Sequence, residues 1–346
     1  MRKQTVLCVS PDPNDATSFY RGSGAIGMMR KLTDEFEFAP CPKGMTITWS
    51  VLQQADWLFL QRPFTRSHLK MAQMAKQNGL KVWCDWDDDI LNIPRSNYTH
   101  KIYLSKNARE NITQIVNECA DLMTVSTEHL AGIFGAPVRG NTHVVPNALN
   151  TDLFNLETRQ EWLDKQKGPL KRKRVFWRGG KTHVEDLMVY EDPIKQVINE
   201  NHDIEFGFCG ETDWPLLDAL EGCKNVHIYE PQDVVEYHHT YKNYAAQVAW
   251  VPLKACDFNN SKSMCAWLEA TYAGAACLGP DFDEWKRPGI TNYSDESSFY
   301  DRMTELLKDN VKCQNLQAES VKTIIDDGLT LKHTASKRLE LLRQYS

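Results

Sequence analysis

The sequence predicts an α/β protein made of two Rossmann-like, doubly wound parallel-sheet domains. Three observations predict it. Short apolar runs alternate with helical stretches, the pattern of a parallel sheet covered on both faces. The runs are near-continuously apolar rather than alternating, as strands buried on two sides must be. The rhythm also restarts in the second half of a 346-residue chain, which is too long for one ordinary core.

In the first half, strands are expected over Thr5–Val9, Asp56–Leu60, Leu80–Cys84, Leu122–Val125 and His143–Val145. Helices are expected from the glycines near Gly22 through Leu32, over His68–Gln77 and over Ala108–Cys119. In the second half, strands are expected over Arg174–Trp177, Ile204–Phe208, Val226–Tyr229, Gln247–Val251 and Ala275–Leu278. Helices there cover Val184–Asn199, Trp214–Leu220, Ser263–Tyr272 and Ser297–Lys308, and Ala318–Tyr345 is helical in character. The polar stretch Asn155–Lys173 reads as the linker, which divides residues 1–155 from residues 170–330, with a last helix at about 330–346 packing back on the first domain. Ligands of such sheets bind beyond the carboxyl ends of the strands, so the loops there are where chemistry is sought.

Composition narrows the class. Hydrophobic residues at 42% and charged residues at 25% belong to a folded globular chain. No apolar run approaches the roughly 20 residues that span a bilayer, and the stretch after Met1–Lys3 is too short for a signal peptide. A cytoplasmic protein is expected. Of the ten cysteines, Cys8, Cys84, Cys209 and Cys277 fall in strand-like runs and no C-x-x-C pair occurs, so buried free thiols are expected. A net charge of −6 argues against a protein that coats nucleic acid, which needs many Lys and Arg contacts to phosphate. Two local basic groups remain, Lys171–Arg174 and the looser set Arg62, Arg66 and Lys70.

Four loops carry candidate chemistry. Gly22, Gly24 and Gly27 match G-x-G-x-x-G, but about a dozen residues after the first strand rather than directly after it; beside Arg21 they read either as a tight turn or as a close approach to a ligand. Asp85, Asp87, Asp88 and Asp89 place four acids in five residues. Such a group can hold a divalent cation, act as a base, accept from sugar hydroxyls or cap a helix. Arg178, Gly179, Gly180 and Lys181 set two cations around paired glycines before a helix, a cradle for a diphosphate without P-loop spacing. Lys262 and Ser263 stand at a helix start, and Glu269 about two turns on can accept two ribose hydroxyls.

These residues resemble those of retaining glycosyltransferases of the GT-B fold, particularly the large family four. His143–Phe154, with Pro146 and Asn147, is similar to the segment that ends that family's first domain, and Asp121–Leu130 to the strand and helix before it. Glu269 and Gly274 match the family's L-E-A-x-x-x-G, which implies that Glu269 holds the donor ribose. Arg178 and Lys181 fall where the family keeps phosphate-binding cations, and Val226–Pro231, with Tyr229, is similar to the strand and loop beside the donor base. Ser261 replaces a Glu often found eight positions before Glu269, though some branches carry F-x-x-S-K-S as here, and the family's sugar-contacting His gives way to the Asp85–Asp89 acids. Tyr20-Arg21-Gly22, Asp87–Pro94, Trp177–Lys181 and Phe258–Glu269 together resemble bacteriophage-encoded members.

The resemblance implies two domains facing a central cleft and a nucleoside-diphosphate sugar as donor, a UDP-sugar above all. No permanently bound cofactor is implied, and no metal is required where cations serve the diphosphate. Arg178, Lys181, Lys262 and Ser263 would hold the diphosphate, with Arg178 and Lys262 stabilising its departure. Arg21, Gly22 and Gly24 would approach donor or acceptor, and Asp85, Asp87 or Asp88 would contact sugar hydroxyls or take the acceptor's proton. The implied acceptor is a hydroxyl: by analogy 5-hydroxymethylpyrimidine in phage DNA, otherwise a surface polysaccharide or lipid-linked saccharide. A DNA acceptor would put Arg62, Arg66, Lys70 and Lys171–Arg174 on phosphates. A sugar-nucleotide epimerase or phosphorylase, or a non-catalytic sugar- or DNA-binding protein on the same scaffold, are the rival readings.

Overall fold

A computed structural model describes residues 2–10, 15–41, 47–97, 99–135, 140–165, 173–210, 215, 218, 220 and 222–346. The chain divides into two compact units. The first comprises Met1–Ala148, Ser261–Ser263 and Leu329–Ser346; the second comprises Leu149–Asn260 and Met264–Gly328.

The first unit holds β1 (Gln4–Val9), β2 (Phe36–Pro40), β3 (Trp57–Gln61), β4 (Lys81–Trp86), β5 (Leu122–Val125) and β6 (Thr142–Val144). All pair in parallel, in the order β2-β1-β3-β4-β5-β6. Its core joins Val6, Phe38, Trp57, Phe59 and Trp83 to Leu331, Ala335, Leu339 and Leu342 of the last helix, Leu331–Tyr345.

The second unit holds β7 (Arg174–Gly179), β8 (Glu205–Gly210), β9 (Val226–Tyr229), β10 (Val248–Trp250), β11 (Ala276–Pro280) and β12 (Ile290–Tyr293). These too are all parallel, in the order β12-β11-β10-β7-β8-β9. Val175, Phe206, Val248 and Leu278 pack there on Ile194, Val197, Phe299 and Met303.

The two sheets are of the doubly wound class predicted, and each contains one strand that periodicity missed. β2 and β12 are both edge strands, half covered: Glu37 is exposed within Phe36–Pro40, and Thr291 and Asn292 occupy the middle of β12. Neither reads as an apolar run. The helix Val234–Tyr244 was missed for a related reason, because its buried face is Tyr237, His238, Tyr241 and Tyr244.

The helix expected over Val184–Asn199 is two. Val184–Val189 stops before Glu191–Glu200, whose third residue, Pro193, has no N–H for the carbonyl four residues back. Asn310–Asp326 ends before Gly328, which takes a φ of +65°, and Leu331–Tyr345 starts afresh after Thr330. The expected helix Trp214–Leu220 lies mostly outside the described residues, as do Lys171 and Arg172. All ten cysteines are free thiols; Cys8, Cys84, Cys209 and Cys277 are buried in β1, β4, β8 and β11. Among the described residues no helix is long and apolar enough to cross a membrane.

Candidate functional site

In the first unit the strand order reverses between β1 and β3, which makes their carboxyl ends the natural crevice. Gly22 sits there between the helices Ala16–Arg21 and Ser23–Leu32. A Cβ on Gly22 would stand 2.1 Å from Gln61 Oε1 and 2.8 Å from Ser10 Oγ, and one on Gly24 would stand 2.0 Å from the Phe19 carbonyl. What crowds both glycines is the chain itself, the tight-turn reading.

Arg21 differs from expectation. It is fully buried, and its Nε and Nη2 donate to Asp85 Oδ1 and Oδ2 at 2.9 and 2.7 Å. Asp85 also accepts from Thr124 Oγ1 at 2.5 Å and from Arg338 Nη1, on the last helix, at 2.9 Å. Burial pushes the Asp85 carboxyl up, but the two guanidinium charges and these hydrogen bonds outweigh it and hold it below the usual range. Arg338 is pulled down to about 10 by burial and by Arg21, against the attraction of Asp85. With no exposed surface, Arg21 and Asp85 cannot touch a substrate as they stand; they anchor. Arg21 Nη1 also donates to the Val145 carbonyl and, at 3.3 Å, to Asn147 Oδ1, while Asn147 Nδ2 donates to Ser263 Oγ at 2.7 Å. A buried polar chain thus runs from the last helix to the Ser261–Ser263 turn.

The remaining acids separate. Arg62, directly after β3, has a φ of +50°, a left-handed conformation that costs a non-glycine residue about 1 kcal/mol or more. Its Nη2 donates to Asp87 Oδ1 at 2.6 Å and Asp88 Oδ2 at 2.9 Å, and Lys262 Nζ donates to Asp88 Oδ1 at 2.9 Å. Burial, together with the charge of Asp88, raises the Asp87 carboxyl despite Arg62. Asp89 is a local cap, accepting from the Leu91 and Asn92 backbone. Among the described residues no group of three His, Cys, Asp or Glu is placed to hold a metal. Of the basic sets, Arg62 is spent on Asp87 and Asp88, Lys173 on the Leu307 carbonyl and Arg174 on Glu205; Arg66 and Lys70 stay exposed.

In the second unit the order reverses between β7 and β10. Arg178, near the end of β7, pairs through Nε with Glu269 Oε2 at 2.6 Å. Glu269 lies on the helix Cys265–Ala273, is 3% exposed and also accepts from Tyr237 OH at 3.1 Å. Tyr237 was not foreseen, since its helix was not. The register aligns Arg178, Cys209 and Tyr229 across β7, β8 and β9. Tyr229 faces Tyr244 at 5.7 Å and lines a pocket of about 440 Å³ with Arg174, Glu205 and His227. Lys181 belongs to the turn Lys181–His183, and its side chain lies outside the described residues. His238 is stacked on Phe154 at 4.1 Å, and burial lowers its pKa despite nearby Glu269.

No protein-family model and no curated protein matches the sequence. Solved structures do. A glycosyltransferase from Rickettsia africae is 11% identical, with 100% of this chain and 99% of that one covered, at a TM-score of 0.68. HepE of Anabaena in complex with UDP is 12% identical over 99% and 100%, at 0.64. A protein of Listeria monocytogenes assigned as a UDP-N-acetylglucosamine 2-epimerase is 9% identical over 99% and 97%, at 0.60. With its two six-stranded parallel sheets, the chain has the GT-B glycosyltransferase fold.

Proposed function

We propose that the protein is a glycosyltransferase that moves a sugar from a nucleoside-diphosphate sugar, a UDP-sugar above all, to a hydroxyl acceptor with retention at the anomeric carbon. One observation carries the reading: Arg178 and buried Glu269 meet at the carboxyl end of β7, beside the reversal of strand order. A cation fixed there suits a diphosphate and a carboxylate suits the ribose hydroxyls. When the sugar departs, negative charge grows on the β-phosphate, and a preorganised guanidinium stabilises that charge where it develops. Lys181, in the turn after β7, is a further candidate for phosphate in this reading. Asp87 and Asp88, the partly open carboxylates of the first unit, serve the sugar hydroxyls or the acceptor's proton, whereas Asp85 and Arg21 support them from beneath.

The test is a panel of nucleotide sugars offered with hydroxymethylated DNA, plain DNA and saccharide acceptors. Release of UDP that requires an acceptor supports transfer; conversion of the sugar nucleotide without an acceptor supports an epimerase instead. A DNA acceptor has only Arg66 and Lys70 exposed among the described cations named above, and it predicts a rate that falls steeply with salt. Saccharide transfer predicts little salt dependence.

A further inference from the structure

Beyond Arg178 and Glu269, the second unit holds a histidine–carboxylate pair that the donor reading does not use. His183 Nδ1 lies 2.9 Å from Asp186 Oδ2. The carboxylate only accepts, so Nδ1 carries a hydrogen, and Nε2, at the other end of the ring, accepts in the neutral imidazole and donates in the imidazolium. Asp186 is 4% exposed and held from its other side: Oδ1 accepts from Asn259 Nδ2 at 2.6 Å and from the Lys254 backbone N–H at 3.1 Å. One buried carboxylate therefore joins the loop after β7 to the loop after β10, the two strands that flank the reversal of order. The ring is placed with equal care. Its Cδ2, the atom bonded to Nε2, would stand 3.3 Å from a Cβ on Gly179, the residue next to Arg178, and about a fifth of the side chain (22%) remains open.

We propose that His183 is a phosphate-binding residue of this unit, donating as an imidazolium from Nε2 to the diphosphate of the sugar donor, with Asp186 as the positioning residue that accepts from Nδ1 and sets the ring's orientation. This rests on the nucleotide-sugar reading above. A structural staple would need the Asp186 contacts to Asn259 and Lys254 but no ring with a solvent-open edge. The imidazolium adds to Arg178 a donor that no lysine or arginine spacing in the sequence revealed.

Calorimetric titration of the full chain with UDP and with uridine tests it, using His183→Ala, His183→Gln, Asp186→Asn and Arg178→Ala. His183→Ala is expected to weaken UDP about tenfold or more while leaving uridine and the melting temperature unchanged, since it removes one hydrogen bond to a charged group. His183→Gln, which keeps a donor near Nε2, restores part of the loss. Asp186→Asn weakens UDP and also lowers the melting temperature. Equal loss for uridine and UDP, or no loss in His183→Ala while Arg178→Ala still weakens UDP, overturns the assignment and leaves the donor reading standing. Failure of the unsubstituted protein to bind UDP overturns both.

Discussion

At the scale of single residues, the four aspartates between Asp85 and Asp89 show how one cluster in sequence becomes three environments in space. Asp85 is sealed between two arginines, Asp87 and Asp88 face Arg62 and Lys262, and Asp89 caps its own turn. Removing the buried carboxylate strands Arg21 and Arg338, so Asp85→Ala is expected to cost about 3–5 kcal/mol in urea unfolding. The pH dependence has a definite sign. Because the folded carboxyl lies below its ordinary value, its contribution is complete above the unfolded pKa of about 3.9 and disappears as pH falls through the folded value. Asp85→Asn should therefore flatten the acid limb of stability, and an unaltered limb would show the charge to be idle. For chemistry, Arg178→Ala is expected to raise the barrier by about 2–4 kcal/mol, seen as a loss of kcat larger than any rise in KM.

At the scale of elements, most strands were legible because a strand covered on both faces must be apolar throughout, and β3 is buried at every residue. The two missed strands sit at sheet edges, where half the surface meets water and polar residues are admitted. The missed helix buries tyrosines and a histidine, which carry no apolar stripe yet fill a core through their rings. Its C-terminus is held by an unusual device: buried Arg159 donates to the carbonyls of Ala245, Ala246 and Gly274, where this helix and Cys265–Ala273 end. The last helix is equally committed to packing, with Leu339 buried beside Ala335 and Leu342 in the first core. Leu339→Ala should destabilise by about 2–5 kcal/mol, measured as a shift of the urea midpoint; a surface-like change below about 0.5 kcal/mol would contradict that placement.

At the scale of the molecule, the first unit is not a continuous piece of chain. It is completed by Ser261–Ser263 and Leu329–Ser346. A fragment of residues 1–148 lacks the apolar face of the last helix and the Arg338 guanidinium, and is expected to unfold without cooperativity. Adding a peptide of residues 329–346 should restore a cooperative transition; a fragment that melts sharply alone would refute the dependence. The candidate donor residues follow the same logic, since Arg178 and Glu269 come from separate stretches that β7 and the helix after β10 bring together.

What the sequence determined by itself was the alternation of buried strand and helix, hence the doubly wound class, and the short motifs at strand ends, because both are written in neighbouring residues. Partnership was decided only by the tertiary structure. Asp85 meets Arg338 across 253 residues, and no local pattern says which of the chain's 40 lysines and arginines will neutralise a given acid. Charge pairing depends on which loop ends a folded sheet carries to the same place, and burial then decides whether the pair anchors the core or stays open to a ligand.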